Sequence, residues 1–140
     1  MKMVLVLLML GLWGCASMIA PAVTPQQAAQ MSSVQLCLDY SMNPSPTFIA
    51  ALTKRHVLTV DELIAIQNDT AYIGERSVAL GCTPKFSGYL IRDQHTVTDS
   101  DGTTTITTYA DPSYGGTTMT VVWVGPDNKV TAIQTYESDN

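Results

Sequence analysis

The fold is decided by residues 89–136, YLIRDQHTVTDSDGTTTITTYADPSYGGTTMTVVWVGPDNKVTAIQTY. Four segments of this stretch are rich in β-branched and aromatic residues, which favour strands: 89–98, 103–110, 117–124 and 129–136. Short turns containing Asp, Gly, Pro and Asn separate these segments, and connections of this length join neighbouring antiparallel strands. The sequence therefore predicts a four-stranded antiparallel sheet.

Two of the predicted strands have distinctive side-chain patterns. In the third, Met119, Val121 and Trp123 alternate with Thr118, Thr120 and Val122, as expected of a strand with one covered face. The second contains TTTITT, residues 103–108. We favour a solvent-facing strand for this run, and an open edge that a partner strand would join is the alternative.

Residues 32–81 have helical signals instead. Thr59-Val60-Asp61-Glu62 fits a capping box ahead of an apolar run. Ser45-Pro46 fits an N-cap followed by the first helical residue. Residues 75–80 predict a further short helix, with Gly81 as its C-cap.

The expected fold class is α+β, with two or three short helices packed on one face of the four-stranded antiparallel sheet. A chain of 140 residues has room for one such domain. We expect that domain to span residues 32–140, with the helices within 32–81 and the strands within 86–136.

The first 14 residues, MKMVLVLLMLGLWG, have the pattern of an export signal. Eleven of them are apolar and Lys2 is the only charge, as in a secretory signal peptide. The apolar run is too short to cross a hydrocarbon core, which takes roughly 20 residues. We therefore expect residues 1–14 to be a signal peptide.

The next residues specify how such a signal would be processed. Leu12-Trp13-Gly14-Cys15 resembles the lipobox of bacterial lipoproteins. The resemblance implies cleavage after Gly14, a diacylglyceryl group on the Cys15 thiol and an acylated new amino terminus. An ordinary signal peptide cut after Ala20 or Ala22 is the alternative.

A lipidated Cys15 would give the chain a stable membrane anchor, because two or more acyl chains hold a protein firmly to a bilayer. Residues 15–31 would then comprise the lipidated cysteine and a flexible linker. Ala16 and Ser17 are not the aspartate that retains such lipoproteins at the inner membrane. The family rule therefore implies the outer membrane, where we expect the periplasmic face.

Cys37 and Cys82 remain as an even pair if Cys15 carries lipid. An even number of cysteines in an oxidising compartment favours a disulfide between them. Two buried free thiols are the alternative. No cysteine or histidine lies at zinc-ligand spacing from either residue, so we expect no metal site.

Composition and motifs argue against several functions. A net charge of -5 and a pI near 4.6 exclude a general nucleic-acid binder. No G-x-S-x-G motif is present, and His56 and His95 are the only groups that titrate near neutrality in their unperturbed form. We assign His56 to the surface and leave a catalytic His95 as a minor alternative. Asp99 and Asp101 fit a hairpin turn better than a calcium loop. We expect no enzymatic activity, cofactor or small-molecule ligand.

The second half of the chain also resembles a known family. Ile73-Gly74, the predicted helix 75–80 and Gly81-Cys82-Thr83-Pro84 look like the helix-to-sheet junction of small outer-membrane lipoproteins of the SmpA/OmlA type, which include BamE. Residues 128–134, NKVTAIQ, are similar to the closing strand of that family. The resemblance implies a lipid-anchored cysteine, a linker, two helices and a small antiparallel sheet.

We therefore expect a non-catalytic cell-envelope lipoprotein that acts as a protein-binding or scaffold module at the outer membrane. Its expected partners are the membrane, through Cys15, and another envelope protein. The alternative is an inhibitor, or a phage- or plasmid-borne exclusion lipoprotein, that blocks a lytic enzyme or a surface receptor. Lysozyme-inhibiting lipoproteins have a similar size and disulfide use, but they are all-β.

Overall fold

The computed structural model of the protein describes residues 22–111 and 118–138. Within these ranges, five α-helices and two 3-10 turns precede a four-stranded antiparallel sheet of order β1-β2-β3-β4. The predicted α+β fold is confirmed. The elements are α1 (Pro25–Gln30), α2 (Ser33–Met42), α3 (Pro46–Arg55), α4 (Val60–Gln67), α5 (Ser77–Leu80), the 3-10 turns Pro84–Phe86 and Gly88–Leu90, β1 (Ile91–Asp99), β2 (Gly102–Ala110), β3 (Thr118–Val124) and β4 (Val130–Glu137).

Local capping explains where α3 and α4 begin. The Thr59 N–H donates to Glu62 Oε2 at 2.8 Å, and the Glu62 N–H donates to Thr59 Oγ1 at 3.2 Å. These reciprocal bonds form the predicted capping box. Ser45 accepts a hydrogen bond from the Thr47 N–H, and Pro46 opens α3 as predicted. The predicted starts of α3 and α4 are therefore confirmed, and each depends on capping by neighbouring residues.

The predicted start of α5 is wrong, since this helix begins at Ser77 rather than at residue 75. The Gly74 N–H donates to the Val130 carbonyl at 2.7 Å, and the Val130 N–H donates to the Glu75 carbonyl at 2.8 Å. The Ser77 N–H donates to the Asn128 carbonyl at 2.8 Å. Residues 74–76 therefore pair with the start of β4, and this pairing replaces the predicted first helical turn.

The prediction of a flexible linker is wrong for residues 25–30, because these residues form helix α1. Thr24 caps α1 through a capping box with Gln27, and Ala28 is fully buried. At the other end of α1, the Arg55 guanidinium donates to the carbonyls of Ala28 and Met31. These contacts hold the segment as a helix against the domain. Residues 1–21, with the predicted signal peptide and Cys15, lie outside the described residues.

The core consists of two clusters of buried side chains. The first joins α1 to α5 and contains, among others, Leu36, Phe48, Leu52 and Ile66. The second lies between the helical half and the sheet, and contains Leu80, Phe86, Leu90, Tyr109, Val122 and Val130. The Phe86 and Tyr109 rings meet edge to face, with centroids 5.3 Å apart. This second cluster covers one face of the sheet, which we call the inner face.

The covered side of β3 differs from its most apolar side. Thr120 and Val122 are buried on the inner face, whereas Met119, Val121 and Trp123 are half-buried on the opposite face. One covered face was predicted, but the apolar alternation does not mark it. The inner face can hold Thr120 because its hydroxyl lies 3.3 Å from the Thr135 hydroxyl, within hydrogen-bonding distance.

The threonine-rich run lies in β2, which pairs with β1 on one side and β3 on the other. An open edge at residues 103–108 is therefore wrong. The solvent-facing interpretation is also wrong at Thr107, which is buried and accepts a hydrogen bond from Gln94 Nε2 at 2.9 Å. Thr103 is exposed, as expected for a solvent-facing strand.

Candidate functional site

Cys37 and Cys82 form the predicted pair. Their sulfur atoms are 1.99 Å apart, at disulfide distance, and both residues are buried in the helical core. Cys37 lies within α2 and Cys82 lies just after α5, so the pair joins two helices that are distant in sequence. The alternative of two free thiols is not what the structure contains.

The histidines do not form an enclosed site. His56 is exposed and ends α3 in a left-handed conformation with φ 55°. His95 is exposed on β1, with its Nδ1 3.2 Å from Asp93 Oδ2. At the turn after β1, the Asp101 N–H donates to Asp99 Oδ1 at 2.9 Å, which is a turn geometry. Across residues 22–111 and 118–138, no group of His, Cys, Asp and Glu is placed to hold a metal ion.

Two apolar concavities lie on the helical side. One, of about 450 Å³, lies between α1 and α3 and is lined mainly by small side chains such as Pro25, Ala29 and Ala50. The other, of about 190 Å³, lies beside the disulfide and is lined by Val34, Leu38 and Val78 among others. No histidine or carboxylate is among the described residues that line either concavity, and Lys54 and Arg55 are the charged residues that line the first.

Exposed apolar side chains lie on the helices, among them Val34, Leu38 and Val78, and also on the face of the sheet opposite the core, which we call the outer face. The strand register determines which residues lie on this face. For example, Ile106 pairs with Trp123, and Met119 pairs with Tyr136, across neighbouring strands. By this register the outer face carries Asp93, His95, Val97, Asp99, Thr104, Ile106, Thr108, Ala110, Met119, Val121, Trp123, Ala132, Gln134 and Tyr136.

This face is partly apolar, and Ala110 is its one buried residue. Every strand residue that belongs to either core cluster lies on the inner face. On the outer face Val97 is 48% exposed and Tyr136 is 43% exposed, and Ile106, Val121 and Trp123 are only half-buried. Contiguous exposed apolar side chains on a folded domain mark interaction sites. The outer face is therefore the candidate binding surface.

An ion pair between the buried Glu62 and the partly exposed Arg76 holds the segment that joins the helices to the sheet. Arg76 Nε donates to Glu62 Oε1 at 2.6 Å, and Arg76 Nη2 donates to the Val57 carbonyl at 3.0 Å. The Glu62 side chain is 2% exposed. The hydrogen bond from Arg76 is the main reason why the pKa of Glu62 lies below its usual value. Glu62 thus caps α4 and also anchors residue 76, a double role that its capping motif alone does not reveal.

Glu75 is the most unusual titratable group in the described part of the chain. It is fully buried, and its Oε2 accepts a hydrogen bond from the Tyr72 N–H at 3.3 Å. Its Oε1 has no hydrogen-bond partner. Burial, and to a lesser extent the nearby Glu62 charge, raise the pKa of Glu75 to about 7. Nothing in the sequence around residue 75 signals this carboxyl, because its burial depends on the pairing of residues 74–76 with β4.

Comparison with known proteins adds no relative, since no family model, curated protein or solved structure matches the chain. None of the helices in the described residues is long and apolar enough to span a bilayer.

Proposed function

We propose that the protein is a non-catalytic cell-envelope lipoprotein, anchored through Cys15 at the periplasmic face of the outer membrane, that binds another envelope protein. The main support for the proposed protein binding is the outer face of the sheet. It presents Met119, Trp123 and Tyr136 together, and methionine and aromatic side chains are enriched in protein interfaces.

The threonines and the strand geometry make this face suitable for a protein partner. Thr104 and Thr108 lie among the apolar side chains and bring hydroxyls that donate and accept hydrogen bonds. Side chains on a strand are held at fixed spacing, which gives a preorganised surface. A rigid, mixed apolar and hydroxyl surface favours a folded protein over a small ligand, which needs a concave site.

The proposed anchor keeps this surface near the membrane. Thr24, the N-cap of α1, lies nine positions after Cys15. A fully extended chain spans at most about 3.5 Å per residue, so the domain would lie within roughly 30 Å of the lipid. A partner in or at the same membrane would therefore meet the outer face at high local concentration.

The alternative of an inhibitor or exclusion lipoprotein receives less support. The lysozyme-inhibiting lipoproteins that motivate it are all-β, whereas this domain has helices over much of residues 25–80. That difference in architecture favours the scaffold proposal.

Position-specific crosslinking in cells tests the proposal. A photo-crosslinking amino acid at Gln134, exposed on the outer face, is expected to give a discrete adduct with one envelope protein. The matched control is the same amino acid at Gln35, which is exposed on α2 in the helical half. Equal adducts from both positions, or none from Gln134, would contradict binding through the outer face.

A further inference from the structure

We infer that the outer face binds a protein segment whose apolar side chains are flanked by lysines or arginines. This inference rests on the proposed function, and adds to it the charge of the partner. Its basis is the set of charged side chains around the apolar residues of the outer face.

Four aspartates lie on this face and at its end. Asp93 and Asp99 belong to the outer-face register of β1. Asp101 lies in the turn between β1 and β2, and Asp127 lies in the turn between β3 and β4. The two turns touch, since a methyl group added at Gly102 would meet Pro126 Cβ at 2.7 Å. One end of the outer face is therefore bordered by aspartates from two turns.

These carboxylates are not neutralised within the described residues. Other acids have cationic partners, as Glu62 has in Arg76 and Asp111 has in Lys85. Over residues 22–111 and 118–138, no lysine or arginine forms an ion pair with Asp93, Asp99, Asp101 or Asp127. The exposed His95 is the one ion-pair contact that Asp93 makes within the described residues. The negative potential of this region is thus directed outward.

Four of the six lysines and arginines among the described residues lie in the helical half; the other two, Arg92 in β1 and Lys129 after the β3–β4 turn, are exposed and form no ion pair with the four aspartates. Lys54 and Arg55 end α3, Arg76 faces Glu62, and Lys85 lies in a 3-10 turn of the helical half. A face with apolar residues and an excess of acids at its border, here four aspartates against Arg92 and Lys129, repels acidic partners and attracts basic ones. Charge complementarity of this kind raises association rates and selects among apolar partners.

The test uses two synthetic peptides with the full-length protein in phosphatidylcholine vesicles. Both peptides contain the same alternating Val, Ile and Tyr residues, flanked by three lysines at each end in one and three glutamates in the other. Trp123 lies on the outer face and is the only tryptophan besides Trp13, so its fluorescence reports binding. Empty vesicles correct for peptide bound to lipid.

The lysine-flanked peptide is expected to bind at least ten times more tightly than the glutamate-flanked peptide at low salt. This advantage is expected to shrink several-fold in about 0.3 M salt, since exposed charges are then screened. The quadruple change D93N/D99N/D101N/D127N is expected to remove most of the advantage. The control D39N/D61N, on α2 and α4, is expected to leave it unchanged.

Equal binding of the two peptides, or binding of neither, would overturn the inference about charge. Neither result would affect the crosslinking from Gln134, which tests the proposed function separately. Loss of the crosslink together with a retained lysine preference would instead reject the envelope-protein partner and leave the charge preference of the outer face standing.

Discussion

Replacing both Cys37 and Cys82 by alanine is expected to lower the free energy of unfolding by about 4 kcal/mol. The two cysteines are 45 positions apart, so their bond restricts a large loop of the unfolded chain. In the chain-entropy model this restriction is the main source of stabilisation. Cys82 is fully buried, so the lost sulfur also removes packing in the helical core. Urea unfolding without reductant measures the change.

The reduced wild-type protein provides the matched control for this result. Reduction is expected to move the wild-type urea midpoint close to that of the double alanine variant, whose own midpoint does not respond to reductant. A wild-type midpoint that stays the same with and without reductant would contradict a stabilising bond between α2 and the end of α5.

Replacing Glu75 by glutamine is expected to stabilise the protein by about 3 kcal/mol at pH 8 and to have little effect near pH 5. The folded-state pKa of Glu75, about 7, lies above its ordinary value of 4.5. Between these values the folded chain binds more protons than the unfolded chain, so the free energy of unfolding falls as pH rises. The contribution is fully present below about pH 4.5 and is lost as pH rises through 7. Glutamine never ionises, and its amide oxygen can still accept from the Tyr72 N–H.

Urea unfolding at pH 5, 7 and 8 measures this difference. Glu137→Gln, at an exposed position on β4, is the matched control and is expected to follow the wild-type pH profile. Glu62 acts in the opposite sense at lower pH, because its pKa lies below 4.5 and its stabilisation is lost on acidification. If the free energies of unfolding of Glu75→Gln and wild type changed with pH in the same way, ionisation of Glu75 would not destabilise the folded state, and the prediction would be wrong.

Local chemistry made much of the fold predictable. The capping box of Thr59 and Glu62 and the Ser45-Pro46 start each depend on residues within four positions of one another, so the sequence displays them directly. The strands follow from composition, and the observed β2 differs from its predicted span only at Gly102. The cysteine pair was predicted from an even cysteine count and an expected oxidising compartment, and the structure contains the pair.

The features that the sequence did not predict depend on contacts between residues distant in sequence. The alternation in β3 reveals two faces but does not show that the inner one holds Thr120 and Val122. That choice depends on how Leu80 and Phe86 pack against the sheet. The Arg76–Glu62 pair likewise joins residues 14 positions apart. The outer face, the central feature of the candidate site, becomes visible only when the strand register is known.

The mass of the mature protein from a bacterial envelope tests the proposed anchor most directly. We expect a chain that begins at Cys15 and is heavier than its amino acids by a diacylglyceryl group and one further acyl chain. We also expect it to fractionate with the outer membrane, and Cys15→Ser to abolish both the added mass and the fractionation. An unmodified chain that begins after Ala20 or Ala22 would contradict the lipoprotein proposal.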